Sequence, residues 1–244
     1  MVFQNWQESL GKLIPKLKRP KPTAWSSMFW VVGTGALTVA FGLWGFAEIA
    51  SEVLEKETEA FDREILLAIQ EFHSPWMDRI AVGVTFLGEP VVLTILSLAL
   101  GILFLWRQRW GWFASLAIAT MGAIGFNFWL KSVFSRARPE LWERIIDVGF
   151  YSFPSGHAMI SLVVYGWLGY WGASRLPRWR SVILSVTAIA IALIGLSRLY
   201  LGVHWPTDVI AGFAAGLAWL VACILGLEVA QKFPFLKSST EERS

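Results

Sequence analysis

Cysteine occurs once in the 244 residues, at Cys223. A lone thiol excludes a disulfide framework, and within an apolar run it reads as a packing residue. Histidine occurs only three times, at His73, His157 and His204. Charge is scarce as well: 16% of residues are Asp, Glu, Lys or Arg, against about 25% in a soluble domain. The net charge of +3 is small, so nothing points to a nucleic-acid partner. Apolar residues are abundant instead. They make up 55% of the chain, with 15 Trp and 17 Phe, and the mean hydropathy is +0.54. Trp favours membrane interfaces. The composition predicts an integral membrane protein with one transmembrane domain.

Spanning a bilayer takes roughly 20 apolar residues. Runs at 28–47, 81–106, 111–130, 157–173, 182–201 and 207–228 predict six transmembrane helices in an all-α, polytopic fold. Glu89-Pro90 predicts a kink or a helix start in the second run, with Glu89 close to the interface. Gly212 and Gly216 form a small-xxx-small pair, read either as a close packing face or as ordinary small residues. The expected organisation is a basic N-terminal segment over 1–23, a membrane domain over 24–230 and a tail over 231–244. In the first segment, apolar residues at helical spacing alternate with lysines. That suits either a helix lying among headgroups or a basic tail. The run 28–47 exceeds the usual signal-peptide core of about 7–15 residues.

Short loops rich in Lys and Arg stay in the cytoplasm. Lys12, Lys16, Lys18, Arg19 and Lys21 precede the first run, and Arg107 and Arg109 follow the second. Arg175, Arg178 and Arg180 follow the fourth, and Lys232, Lys237 and Arg243 lie in the tail. Both termini are therefore expected in the cytoplasm. The opposite connection, 48–80, is mainly acidic, and Phe61, Ile65, Leu66, Ile69 and Phe72 predict an amphipathic helix in it. One group breaks the charge bias. Lys131, Arg136, Arg138, Arg144 and Arg198 all fall on the outer side. An anionic ligand at the outer face would account for them.

Lys131, Arg138 and Arg198 offer a point charge and two guanidinium forks, which match phosphate oxygens. A phosphoryl group in transfer spreads its charge over three oxygens, so several fixed donors are useful. Arg136 and Arg144 read instead as side chains snorkelling to lipid headgroups. Ser155 is a good helix N-cap, and Gly156 lets backbone N–H groups approach an anion. Asp208 follows His204 by four residues, with Pro206 in the first turn of the last run. Its carboxylate can fix one ring nitrogen of His204 and leave the other to attack. His157 then serves as the acid for the departing oxygen. The alternative is a zinc or iron site made from the two His and Asp208, which three neighbouring cations would disfavour. His73 reads as a surface loop residue.

The three segments resemble the signature of the type 2 phosphatidic acid phosphatase family. Lys131, six residues and Arg138-Pro139 form the first part. Pro154-Ser155-Gly156-His157 is the second. Ser197-Arg198, five residues, His204, three residues and Asp208 complete it. The resemblance implies a six-helix lipid phosphatase that needs no metal or other cofactor. It implies that Lys131, Arg138, Ser155, Gly156 and Arg198 bind phosphate. It also implies that His204 forms a phosphohistidine, that His157 donates the proton and that Asp208 orients His204. The chain looks most like bacterial plasma-membrane enzymes acting on phosphatidylglycerophosphate, phosphatidic acid or undecaprenyl pyrophosphate, with the site facing the exterior. The expected partners are a lipid phosphate substrate and the bilayer, and oligomeric state has no readable signal.

Two other readings stay open on the sequence. A phosphotransferase would use the same phosphohistidine. A non-enzymatic lipid-phosphate binding or transport protein would need the cations but not both His and Asp208. A soluble vanadate-dependent peroxidase shares the phosphate-binding motif but would not carry six apolar spans. Contacts that choose the lipid are expected in 48–80 and 140–153.

Overall fold

The computed structural model describes residues 24–146 and 148–232. The basic N-terminal segment and the tail beyond 232 lie outside the described residues. Of the described residues, those up to Gly33 form a unit of their own, and those from Thr34 onward form a second, compact unit. Among the described residues every regular element is helical. The helices are α1 (Ala24–Leu54), α2 (Glu59–Gln70), α3 (Pro75–Leu87), α4 (Pro90–Trp106), α5 (Trp110–Phe134), α6 (Gly156–Arg175), α7 (Arg180–Tyr200) and α8 (Pro206–Lys232).

Local chemistry sets several of these boundaries. Ser74 caps α3 by accepting a hydrogen bond from the Met77 N–H, and Pro75 occupies the first turn. Pro90 opens α4 in the same way. The expected break at Glu89-Pro90 is real: α3 and α4 meet there at a bend of 42°. The amphipathic helix expected near residue 65 is α2, whose Leu66 and Asp62 are buried.

Four described helices are long and apolar enough to cross a membrane: Phe29–Leu54, Trp110–Phe134, Pro177–Tyr200 (a short 3-10 turn plus α7) and Pro206–Gln231. The bent pair α3–α4 provides a fifth such unit. The remaining long helix, α6, packs against α4, α5, α7 and α8. It has less need of an apolar surface because its neighbours cover it. Ile160, Val163, Val164 and Trp167 of α6 meet Leu93 of α4 and Leu116, Ala119 and Ala123 of α5 in the largest core cluster. Large apolar side chains on the outer faces of the other helices, such as Phe41, Ile102, Met121 and Ile189, are exposed. A protein that buries such surface in hydrocarbon leaves it unpacked against itself.

Gly212 and Gly216 turn out to be packing positions. A Cβ on Gly212 would lie 2.8 Å from the Ser155 carbonyl oxygen, and one on Gly216 would lie 2.9 Å from that of Met159. The two glycines let α8 close onto the start of α6. His73 also departs from expectation. Rather than sitting free in a loop, its Nε2 lies 2.8 Å from the Tyr200 carbonyl oxygen. Its ring packs 4.5 Å from that of Tyr200 and 5.2 Å from that of Trp142. The side chain ties the α2–α3 turn to the end of α7.

Candidate active site

The alternating direction of the chain brings the C-terminal ends of α5 and α7 to the N-terminal ends of α4, α6 and α8. A cavity of about 460 Å³ opens at this end of the bundle. Lys131, Arg138, Gly156, His157, Arg198 and His204 line it. Six of the eight residues singled out in the sequence therefore share one cavity, although the chain separates the first from the last by more than seventy positions. The other two, Ser155 and Asp208, are fully buried immediately behind it.

His204 lies in the turn between α7 and α8, and its exposure is 1%. Its Nδ1 is 3.3 Å from Asp208 Oδ2. The same carboxylate oxygen accepts a hydrogen bond of 2.9 Å from the Trp205 N–H. His204 Nε2 faces the cavity side, where Arg138 Nη1 lies at 3.2 Å. Burial, followed by the charges of Arg198, Arg138 and Lys131 and by His157, pushes His204 well below its ordinary pKa of 6.5. It is therefore neutral at pH 7. With Nδ1 donating to Asp208, the Nε2 lone pair lies on the cavity side and accepts the hydrogen bond from Arg138. The turn that presents it needs Gly202, whose φ is +65° and where a Cβ would lie 2.6 Å from the Trp142 indole.

The three cations reach the cavity from different elements. Lys131, in the last turn of α5, donates to the Tyr151 carbonyl and, at 3.5 Å, to the Ser152 carbonyl. Arg138 donates to the carbonyls of Val203 at 2.6 Å, Gly149 at 2.9 Å and Phe150 at 3.0 Å. Burial lowers it to about 10, with Asp208 opposing, so it stays charged at neutral pH. Arg198 is 1% exposed in the last turn of α7. Its Nη1 donates to Thr85 Oγ1 at 2.6 Å. Its buried Nε has no hydrogen-bond partner among the described residues. A buried guanidinium N–H without an acceptor is costly, and an anion in the cavity would supply one.

Ser155 caps α6, its Oγ accepting from the Ala158 N–H at 3.4 Å. Its own N–H donates to the Asp208 carbonyl at 2.9 Å, which joins α6 to the start of α8. At Gly156 a Cβ would lie 2.9 Å from Asn127 Oδ1. The close approach of α5 explains the glycine there. His157 Nε2 lies 3.0 Å from Glu89 Oε2.

Four participants were not legible beforehand. Glu89 is the partner of His157, and Asn127 holds the Pro154 carbonyl at 3.3 Å. Asp62 and Arg136 form the support behind Asp208. Arg136 does not reach for headgroups as its outer position suggested. Its two terminal nitrogens lie 2.7 Å from Asp62 Oδ2 and 2.7 Å from Asp208 Oδ1. Asp62 also accepts from the Thr207 N–H at 3.0 Å and the Thr207 hydroxyl at 2.7 Å. Two buried carboxylates draw the guanidinium inward because each needs a counter-charge. Arg144 donates to the Pro139 carbonyl at 2.9 Å and does not line the cavity. Of the two connections expected to hold selective contacts, 140–153 lines the cavity through Ile146, Val148 and Phe150. The described residues of 48–80 do not line it.

Comparison with known proteins gives this arrangement a family. Residues 110–231 match the family model described as the PAP2 superfamily. Phosphatidylglycerophosphatase B of Bacillus subtilis is 30% identical over 176 residues, which cover 70% of this chain and 86% of that protein. Undecaprenyl-diphosphatase of Sulfolobus acidocaldarius is 38% identical over 91 residues, 36% of this chain and 37% of that one. Among solved structures, the PAP2-type phosphatidylglycerolphosphate phosphatase from Bacillus subtilis superposes with a TM-score of 0.73 at 28% identity, over 80% of this chain and 98% of that chain. The helical bundle, the three converging segments and these matches agree: the chain belongs to the PAP2 superfamily and is a membrane-embedded phosphatase.

Proposed function

We propose that the protein removes the terminal phosphate from a membrane lipid phosphate through a phosphohistidine on His204. The observation that carries this reading is the two-sided environment of His204. One ring nitrogen is tied to Asp208, while the other faces a cavity lined by Lys131, Arg138, Arg198 and His157.

The substrate's phosphate would sit among the three cations, with its lipid part toward apolar lining such as Phe128 and Phe150. The lone pair of His204 Nε2 attacks phosphorus and forms a P–N bond. The P–O bond to the lipid breaks, and the departing oxygen takes a proton from His157. Lys131, Arg138 and Arg198 stabilise the charge on the equatorial oxygens, and the N-terminus of α6 behind Ser155 and Gly156 adds N–H donors. In the second half, His157 takes a proton from water as the water oxygen attacks phosphorus. The P–N bond breaks, its electron pair returns to His204, and inorganic phosphate leaves. No step calls for a metal ion or organic cofactor.

In the membrane we read α6 as the sixth span, beside the four long apolar helices and the bent pair. At 20 residues it is about 30 Å long, enough for a hydrocarbon core. Arg107, Arg109, Arg175 and Arg178 lie at the end of the bundle away from the cavity. By the positive-inside rule that end faces the cytoplasm, which puts both termini there and the cavity outward. The host membrane in this reading is a bacterial plasma membrane.

The test is acid-labile labelling. Rapid quenching with a radiolabelled lipid phosphate should trap phosphate on the protein, and His204→Ala should abolish both the label and turnover. Label retained in that variant would overturn the reading. Turnover should also persist with chelator present. Added acceptor lipids or sugars should not divert the phosphate, which separates hydrolysis from phosphotransfer.

A further inference from the structure

The cavity holds one group that a phosphate site would not be expected to want. Among the described residues lining it, Glu89 is the only carboxylate. A negative charge close to a bound anion carries a repulsive cost. Some feature of the reaction must offset that cost.

The backbone delivers Glu89 deliberately. It is the N-cap residue of α4, yet its side chain makes no capping bond. Its Oε2 instead lies 3.0 Å from His157 Nε2, and the side chain is 46% exposed. Gly88 makes this possible: a Cβ there would lie 2.3 Å from Ile194 Cγ2 and 3.3 Å from His157 Cδ2. Pro90 then opens the helix and holds Glu89 in extended backbone. The carboxylate thus sits on the His157 side of the cavity, the side of the departing group if His157 is the proton donor.

We propose that Glu89 is a specificity-determining residue that makes the site favour lipid monophosphate esters over lipid diphosphates. This rests on the assignment of His204 as nucleophile and His157 as acid. The two substrate classes differ in what departs. From an ester, the oxygen leaves as an alkoxide unless it is protonated, so a proton donor is essential. A carboxylate beside His157 stabilises the imidazolium that donates, and it can then accept a hydrogen bond from the alcohol formed. From a diphosphate, the departing group is itself a phosphate. It is stable as an anion and has little need of the proton. It would also carry its charge against Glu89. Both effects act in one direction, and the first compensates for a carboxylate in an otherwise cationic cavity.

The experiment compares hexadecyl phosphate with hexadecyl diphosphate in one detergent, so that the tail is constant. The wild-type protein should show the higher kcat/KM on the ester. Glu89→Gln, which keeps the shape and removes the charge, should lower the ester-to-diphosphate ratio by about 10- to 100-fold, chiefly through kcat on the ester. Glu89→Asp should restore part of the ratio, which a purely structural role would not require. Should Glu89→Gln fail to remain monodisperse in detergent, Glu89→Asp and the wild-type ratio alone decide. An unchanged ratio, with acid-labile phosphate still trapped on His204, would overturn the inference while leaving the nucleophile intact. Absence of trapped phosphate from both substrates would instead remove the foundation.

Discussion

Arg136 and Asp208 meet at 2.7 Å, and the opposite nitrogen of the same guanidinium meets Asp62, also at 2.7 Å. Asp208 therefore faces Arg136 with one oxygen and His204 with the other. The orientation of His204 depends on α2, because Asp62 anchors Arg136 and Thr207 together. Removing one partner of a buried pair leaves an uncompensated charge, at a cost of about 3–5 kcal/mol. Arg136→Met should accordingly lower the melting temperature sharply. Arg136→Lys keeps the charge but has one nitrogen where two carboxylates need binding. It should fold, with kcat down by about 100-fold, the usual scale for a misplaced catalytic group. Asp62→Asn should fall between wild type and Arg136→Lys. Thermal unfolding and turnover in the same detergent check all three.

How much of this was legible in the sequence depends on distance along the chain. Lys131 and Arg138, Ser155 to His157, and Arg198, His204 and Asp208 each sit within a short segment of fixed spacing, so their chemistry could be read together. Asp62 meets Thr207 across 145 positions, and no local pattern joins them. Arg136 misled for a related reason. An Arg in an outer loop looks like a headgroup contact until its partners are known. Glu89 was visible only as a helix boundary. The start of α3 at Pro75 was missed because Asp78 and Arg79 interrupt the apolar run, although tertiary contacts with α7 hold the helix. The burial of α6 was equally hidden, since an apolar run reads the same against lipid as against other helices.

The lowered pKa of His204 gives a pH prediction. In the proposed mechanism His204 must be neutral to attack, and its folded value lies well below 6.5 because it is buried among cations. The limb of the pH–activity profile that His204 contributes should therefore lie below pH 6.5. The same sign governs stability. The unfolded chain takes up this proton first, so the contribution of neutral His204 is complete above pH 6.5 and is lost as pH falls toward the folded value. Arg198→Gln removes one of the charges that depress His204, so its titration should move upward. Nitrogen-15 spectra of histidine-labelled protein in detergent, assigned with a His73→Gln variant, would follow the ring directly. A His204 titration at or above 6.5 in the wild type would contradict the buried cationic setting.

The contact between α6 and α8 yields a last prediction, in which helix propensity and packing oppose each other. Replacing Gly by Ala inside a helix normally stabilises it by up to about 1 kcal/mol. At Gly226 a Cβ meets nothing within 4 Å, so Gly226→Ala should show this small gain or no change. At Gly212 the Cβ would lie 2.8 Å from the Ser155 carbonyl oxygen and 3.1 Å from the Ala158 Cβ. Backbone cannot yield as a flexible side chain can, so Gly212→Ala should destabilise by about 1–3 kcal/mol, as overpacking does. It should also reduce kcat. The Ser155 N–H donates to the Asp208 carbonyl at 2.9 Å, so prising the helices apart moves the carboxylate that orients His204. The melting temperature should fall for Gly212→Ala and hold or rise slightly for Gly226→Ala, with kcat falling only for Gly212→Ala. Equal shifts would mean that the helices do not cross this closely and that the link from Ser155 to Asp208 does not carry the alignment of the site.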